Sequence, residues 1–372
     1  MVWLDGGQVW YSEAMGNTAR AAVIRAVGGA PEICTVELPP LEHDEVRVRL
    51  VATGVCHTDV AWADGQLTDT FPVVLGHESA GVVEEVGLAV TAVKPGDRVV
   101  LALAHNCGHC VYCETGRPML CGRRNERPPR LILDGSPLVQ GFGTGGFAEQ
   151  TIVPEVSVLP VPDDVPLSVA AVVGCATSTG LGAVFNIAEV QYGTKVAILG
   201  VGGIGLSVLL GCRVAGAERI VVVDPDPWRR DQALALGATD ALPPDEPAVR
   251  ALEPDGFDYV FESAGRADAM ETAVRLVARG GTVTLIGVVP PGTTIRVDAR
   301  AFIPSQSRIL GCLTGNVRPH VDFDRYFRLY RRGLLDLAAL VTSTVPLEAV
   351  DLGFSRCREG EGIRTLVSLS AE

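Results

Sequence analysis

Cys107, Cys110, Cys113 and Cys121 fall inside one stretch, CGHCVYCETGRPMLC, a spacing that lets a single segment wrap four thiolates around one tetrahedral ion, best matched by zinc. Four thiolates fill every position of such an ion, so the site they predict stabilises a lobe (105–122) and leaves no place for a substrate. His105 and His109 beside it are read as solvent-facing. Ten cysteines in 372 residues, six of them in ligand-like contexts, fit a reducing compartment better than an oxidising one. Cys34, Cys212, Cys312 and Cys357 are then core or surface thiols.

The formal net charge of -13 repels a phosphate backbone, which argues against nucleic acid as the partner of the cysteine lobe. The N-terminus, MVWLDGGQVWYSEAMG, has acids and glycines where a signal peptide has basic residues and an apolar run; a cytoplasmic protein is expected. Residues 1–20 read as an extension, with Met15 as an alternative start. Val169 to Ala188 is apolar, but Thr177, Ser178, Thr179 and Asn186 interrupt it, so a buried helix opening at a site is expected rather than a membrane span.

A chain of 372 residues exceeds the usual size of one core, and its rhythm changes midway. From Ala21 to Val161 short apolar runs alternate with turn signals, as antiparallel β structure requires. Gly122 to Gly146, rich in Arg, Pro and Gly, reads as a long loop or lobe. From Tyr192 onward, KVAILG, RIVVVD, FDYVFES, GTVTLIG and RILGCL alternate with helical patterns, which predicts a doubly wound parallel sheet. A helix over Asp322 to Arg332 follows, and the C-terminus is expected to complete the first domain.

Gly200, Gly202, Gly203 and Gly205 form GVGGIG between the predicted strand Lys195 to Leu199 and an apolar helix. Glycines there let the backbone approach a pyrophosphate, which meets the positive end of the helix. Asp224, at the end of the next strand, is placed to accept hydrogen bonds from an adenosine ribose; its charge disfavours a 2′-phosphate, so NAD is expected over NADP.

A second possible ligand set is scattered: Cys56 in CHTD, His77 in GHE and Cys175 in GCAT. Singly, each reads as well as a core thiol or a turn residue. Jointly, two thiolates and an imidazole would leave zinc one open position for an alcohol or carbonyl oxygen. Asp59 and Glu78 are suited to hold such ligands from behind, one of them by orienting the His77 imidazole.

These motifs, GVCHTD, GHESAGVVEEVG, the four-cysteine lobe, GCATSTG, GVGGIG with Asp224, and GIRT at Gly362 to Thr365, resemble the zinc-dependent alcohol dehydrogenases of the medium-chain dehydrogenase/reductase family, from about Ala21 to the C-terminus. The resemblance implies an α/β fold: a GroES-like catalytic domain (21–176 and 317–372) and a Rossmann domain (177–316). It implies two zinc ions per chain, catalytic at Cys56, His77 and Cys175 and structural at the lobe, with Thr58, His57, Asp59 and Glu78 serving catalysis. His57 and Arg364 would meet the pyrophosphate of NAD, Thr179 the nicotinamide and Arg229 the ribose; Leu67, Leu103, Phe142 and Val288 would line an apolar substrate channel. Where many relatives continue the proton relay to a histidine, this chain has Ala61. The expected activity is reversible hydride transfer between a primary, medium-chain or aromatic alcohol and NAD, in a homodimer without membrane or nucleic-acid partners. The alternatives are a thiol-adduct formaldehyde dehydrogenase, a polyol or secondary-alcohol dehydrogenase, or an inactive NAD-binding interaction protein.

Overall fold

A computed structural model describes residues 17–103, 106–124 and 126–371. Three sheets organise them. Five strands, Asn17–Ile24, Glu32–Leu38, Leu131–Leu133, Ser136–Gln140 and Val73–Val74, close a small barrel. A seven-stranded sheet is built around Glu45–Val55, which pairs antiparallel with Glu78–Val86, Gln150–Pro154 and the C-terminal Thr365–Ser368. The C-terminal strand thus pairs within the N-terminal half.

The third sheet is wholly parallel, in the order Asp240–Leu242, Arg219–Val223, Lys195–Leu199, Phe257–Glu262, Val277–Leu285 and Arg308–Gly311. Its central strands are continuous β-branched and apolar runs because helices cover both faces, leaving no polar side to alternate with. The strand order reverses beside Lys195–Leu199, and ligands of such sheets bind at that crevice. One apolar cluster joins Ala52 and Val100 of the antiparallel sheet to Val196, Ile198 and Leu206 of the parallel unit, so the two halves share a core.

Several expectations need correction. Strand pairing begins at Asn17, so residues 17–20 belong to the barrel and not to an extension; Met15 lies outside the described residues, as does His105. Gly122 to Gly146 is not a featureless loop. Leu131–Leu133 and Ser136–Gln140 form a hairpin that helps close the barrel, turning on Asp134 (φ 52°) and Gly135 (φ 75°). An Asp-Gly pair between apolar runs is the ordinary signal for a turn with two positive φ values, and LILDGSPLV carries it. Asp240–Leu242 is a strand too short and too half-buried to stand out in sequence. The helix expected over Asp322 to Arg332 spans Pro319–Arg331, because proline suits the first helical turn.

Among the described residues no single helix is long and apolar enough to cross a membrane; Leu167–Gly174 and Ala176–Ala188 reach that length only as a pair bent by 58°. Most of their side chains are buried in the shared core. The bend falls at Cys175.

Candidate active site and metal centres

Strand register brings the first two scattered ligands together. Gly54 stands opposite Glu78 in the antiparallel pair Glu45–Val55 and Glu78–Val86, so Cys56, two residues past Gly54, and His77, one before Glu78, emerge at the same end. Glycine is required at 54, since a Cβ there would collide with the Glu78 carboxylate. The third ligand comes from the broken helix. Cys175 leaves helical geometry (φ -140°, ψ -79°), and Gly174 rests against the backbone of His77 and Glu78, where a Cβ would lie 3.2 Å from the His77 carbonyl oxygen. Donor atoms of Cys56, His77, Glu78 and Cys175 all fall within 4.8 Å of one another, and all four residues are buried.

The donor set fits a metal ion. His77 Nδ1 donates to Asp59 Oδ1 at 3.0 Å, which fixes the tautomer and leaves Nε2 as the free lone pair. That Nε2 is buried without a protein partner, an omission costing about 1–3 kcal/mol unless a ligand fills it. Glu78, by contrast, is already engaged: Arg364 Nε contacts its Oε2 at 2.9 Å and the Ala176 N–H reaches its Oε1 at 3.3 Å. Two thiols, the imidazole Nε2 and a carboxylate paired with Arg364 therefore face the centre.

The two carboxylates divide their work. Asp59 accepts from the N–H groups of Cys56 and Gly76 as well as from His77, so it locks both ligand-bearing segments to one side chain. Burial forces the Glu78 carboxyl up to about 7, against the pull of Arg364. Both carboxylates are fully buried, Asp59 behind the His77 imidazole and Glu78 against Arg364. Burial opposes charging His77, yet Asp59 and Cys56 outweigh it and hold its pKa well above the usual imidazole value, so a metal ion would take up Nε2 by displacing its proton. Cys56 is held below the usual thiol range by the hydrogen bond it shares with Cys175, by Arg364 and by His77, which favours the thiolate a metal needs. Replacing Asp59 with asparagine removes the charge that anchors His77; zinc retention, measured by competition with a chelator, is expected to weaken about 10–100-fold while the fold persists.

Thr58 opens the helix His57–Ala63 with its Oγ1 3.5 Å from Cys56 Sγ, and Ala61 offers no group beyond it. Phe142 rests on His77, ring centroids 4.5 Å apart, and on Trp62 at 4.9 Å. Trp62 carried no sequence signal as a site residue. Of the other proposed channel residues, Leu103 is half-buried, while Leu67 and Val288 are 45% and 71% exposed.

At the glycine motif each residue has a separate task. Gly200 needs its positive φ of 87°, and a Cβ on Gly205 would overlap the Gly200 carbonyl oxygen. Gly203 faces Arg364. A Cβ on Gly202 would meet only Arg229 Nη1, at 3.7 Å, so this backbone stays open to a phosphate. Asp224 ends its strand buried, accepting from the N–H groups of Val201 and Asp226. Arg229 donates to the Gly360 and Gly362 carbonyls and shares a small cleft with His57 and Cys357. Arg364 links that basic cleft to Glu78 and donates to the Val55 carbonyl. Thr179 is buried in Ala176–Gly182. Cys357, read from sequence as an unremarkable thiol, has no motif that would have placed it here.

The lobe cysteines also converge, with the four sulfurs within 4.8 Å. Cys113 lies in the one-turn helix Val111–Glu114 that Cys110 precedes, Cys121 follows the 3₁₀ turn Pro118–Leu120, and Cys107 stands in the loop before both. His109 accepts from Arg123, as a surface group would.

Residues 42–163 match the alcohol dehydrogenase GroES-like domain and residues 203–331 the zinc-binding dehydrogenase domain. The S-(hydroxymethyl)glutathione dehydrogenase of Escherichia coli is 36% identical over 367 residues, covering 94% of this chain and 99% of the relative. The structure of benzyl alcohol dehydrogenase from Acinetobacter calcoaceticus superposes with a TM-score of 0.91 at 28% identity, covering 95% of this chain and all of the other. A zinc-binding dehydrogenase from Sinorhizobium meliloti, bound to NADP, gives 0.82 at 28% identity over 95% of this chain and 99% of its own. With the matched domains spanning both halves and the thiolate and imidazole donors gathered where the family needs them, this chain belongs to the zinc-dependent alcohol dehydrogenases of the medium-chain dehydrogenase/reductase family.

Proposed function

We propose that the protein catalyses reversible, NAD-linked oxidation of primary medium-chain or aromatic alcohols, with one catalytic zinc at Cys56, His77 and Cys175 and one structural zinc at the lobe. The carrying observation is the orphaned His77 Nε2 facing two thiols in a buried site that Arg364 connects to the glycine loop. Zinc held there would supply Lewis acidity that eases loss of an alcohol proton, and a bound NAD would supply the hydride acceptor.

The chain's own residues do the rest. Asp59 keeps the imidazole lone pair aimed at the centre, and Glu78 with Arg364 closes it from behind. The Thr58 hydroxyl, beside Cys56, would take the alcohol proton while passing its own proton outward to solvent, because Ala61 stands where an imidazole could continue the relay along the helix. His57, Arg229 and Arg364 hold the pyrophosphate beside the open face of Gly202, and Thr179 supports the nicotinamide. Phe142 and Trp62 keep water from the reacting carbon. The catalytic domain would comprise residues 17–176 and 317–372, and the Rossmann domain 177–316. The length of the segment after the lobe supports a homodimer.

Asp224 supports NAD as the cofactor. An Asp224→Asn variant is expected to lose about 10–100-fold in kcat/KM with NAD, the worth of a charged hydrogen bond, and to lose far less with NADP. Initial rates with both cofactors check it. The Escherichia coli relative favours a second reading, a thiol-adduct substrate; Arg123, a cation beside the lobe that could attract an anionic adduct, is already engaged by Glu126 at 2.8 Å and by His109. Zinc analysis of the purified protein beside a scan of hexanol, benzyl alcohol and S-(hydroxymethyl)glutathione tests the proposal. Preference for the thiol adduct over both alcohols would overturn the substrate reading.

A further inference from the structure

A cavity of about 260 Å³ lies between the barrel and the 127–130 segment, walled by Trp62, Val139, Phe142, Ile152 and three prolines, with two arginines, two glutamates and Gln140 also in its lining; the Gln140 amide is taken up by the Arg130 N–H, Thr151 and the Ile152 carbonyl. Neither His77 nor the two thiols lines it. Phe142 alone belongs both to this wall and to the ring contact with His77. The residue is held in left-handed backbone geometry, φ 57° and ψ 18°, which costs a side-chain-bearing residue about 1–2 kcal/mol. Gly141 and Gly143 flank it, and a Cβ on Gly141 would press on Leu75 and the Val74 carbonyl, so the turn is built to present this one ring.

The charges at the rim are committed. Arg127 forms a two-point pair with Asp44, and Arg130 contacts Glu45 at 2.9 Å and Glu42 at 3.4 Å while donating to the Pro40 carbonyl. A charged guest would have to break one of these pairs. An uncharged hydrocarbon would not, and it would find aromatic, aliphatic and proline surface.

We propose that Phe142 is the specificity-determining partition between the reaction site and this cavity, and that the cavity is an apolar annex able to take the distal end of a long alkyl or aryl alcohol once the ring is out of the way. The inference rests on the alcohol dehydrogenase reading. In the native protein the ring sets the upper length of a well-accepted substrate, and trimming it extends that limit.

The test measures kcat/KM with NAD for straight-chain primary alcohols from propanol to dodecanol in wild type, Phe142→Ala, Phe142→Leu and Phe142→Ala combined with Val139→Trp. Phe142→Ala is expected to move the preferred length upward by several carbons, gaining about fourfold per methylene newly buried, with Phe142→Leu shifting it less. Val139→Trp, which fills the annex without touching the zinc ligands, is expected to return the optimum toward wild type in the double variant and to leave propanol turnover unchanged on its own. Should trimming the ring misplace His77 and abolish all turnover in Phe142→Ala, the Phe142→Leu profile decides. An unmoved length optimum in an active ring variant overturns the partition, and so does a shift that Val139→Trp fails to reverse. Wild type that oxidises no alcohol of any length defeats the activity reading instead.

Discussion

His77→Ala is expected to reduce alcohol-dependent NADH formation by roughly a thousandfold or more, because a Lewis acid at the reacting oxygen is worth several kcal/mol of barrier. Its imidazole is the one ligand fixed at both ends: Nδ1 by Asp59, and Nε2 free for the ion. Removing it leaves Cys56 and Cys175 without a third donor and Asp59 with a buried charge short of one partner. NADH binding, followed by fluorescence titration, should persist, since the glycine loop, Asp224 and the basic cleft are built from other residues. Zinc content should fall by one equivalent per chain. A variant keeping more than a tenth of wild-type turnover would remove His77 from the chemistry.

Cys113→Ser should give the largest change in stability and little direct change in chemistry. The lobe has almost no core of its own: Met119 and Cys121 are its buried apolar residues, and its helix is a single turn. Metal ligation therefore does the work that packing does elsewhere. Structural zinc in isolated fingers contributes about 10–16 kcal/mol of apparent folding free energy at neutral pH. Even a few kcal/mol of that, lost from a domain of this size, lowers Tm by about 10 °C. Calorimetry with metal analysis checks the outcome: one zinc lost, an earlier transition, and turnover per remaining folded molecule preserved. Unchanged melting and unchanged zinc content would show that the four thiols hold no ion.

The two expectations separate because the two clusters use different physics. At the lobe the cysteines lie close in sequence, and an ion there would organise a segment with little packing of its own. At the reaction centre strand pairing, the helix break at Cys175 and three donors on Asp59 position the side chains by protein contacts alone, so an ion there would have less to order.

Local chemistry was legible from the residues in order. Four cysteines at ligand spacing, glycines between a β-branched run and an apolar helix, and an acid closing the next strand each express a short-range rule, so the parallel sheet and lobe follow from them. The hairpin around Asp134 and Gly135 was legible too, but prolines and arginines on either side masked its turn signal. Convergence over distance was not. Nothing local to Cys56, His77 or Cys175 says that they meet; that depends on which residues stand opposite one another across two strands and where one helix bends. Nor could residue type assign the carboxylates, since Asp59 and Glu78 differ only in which neighbours burial gives them, the imidazole for one and Arg364 for the other. The sequence by itself determined the kinds of donor and the cofactor loop. Tertiary structure alone decided their geometry, because spacing along a chain fixes neighbours within a few residues while register and packing fix all the rest.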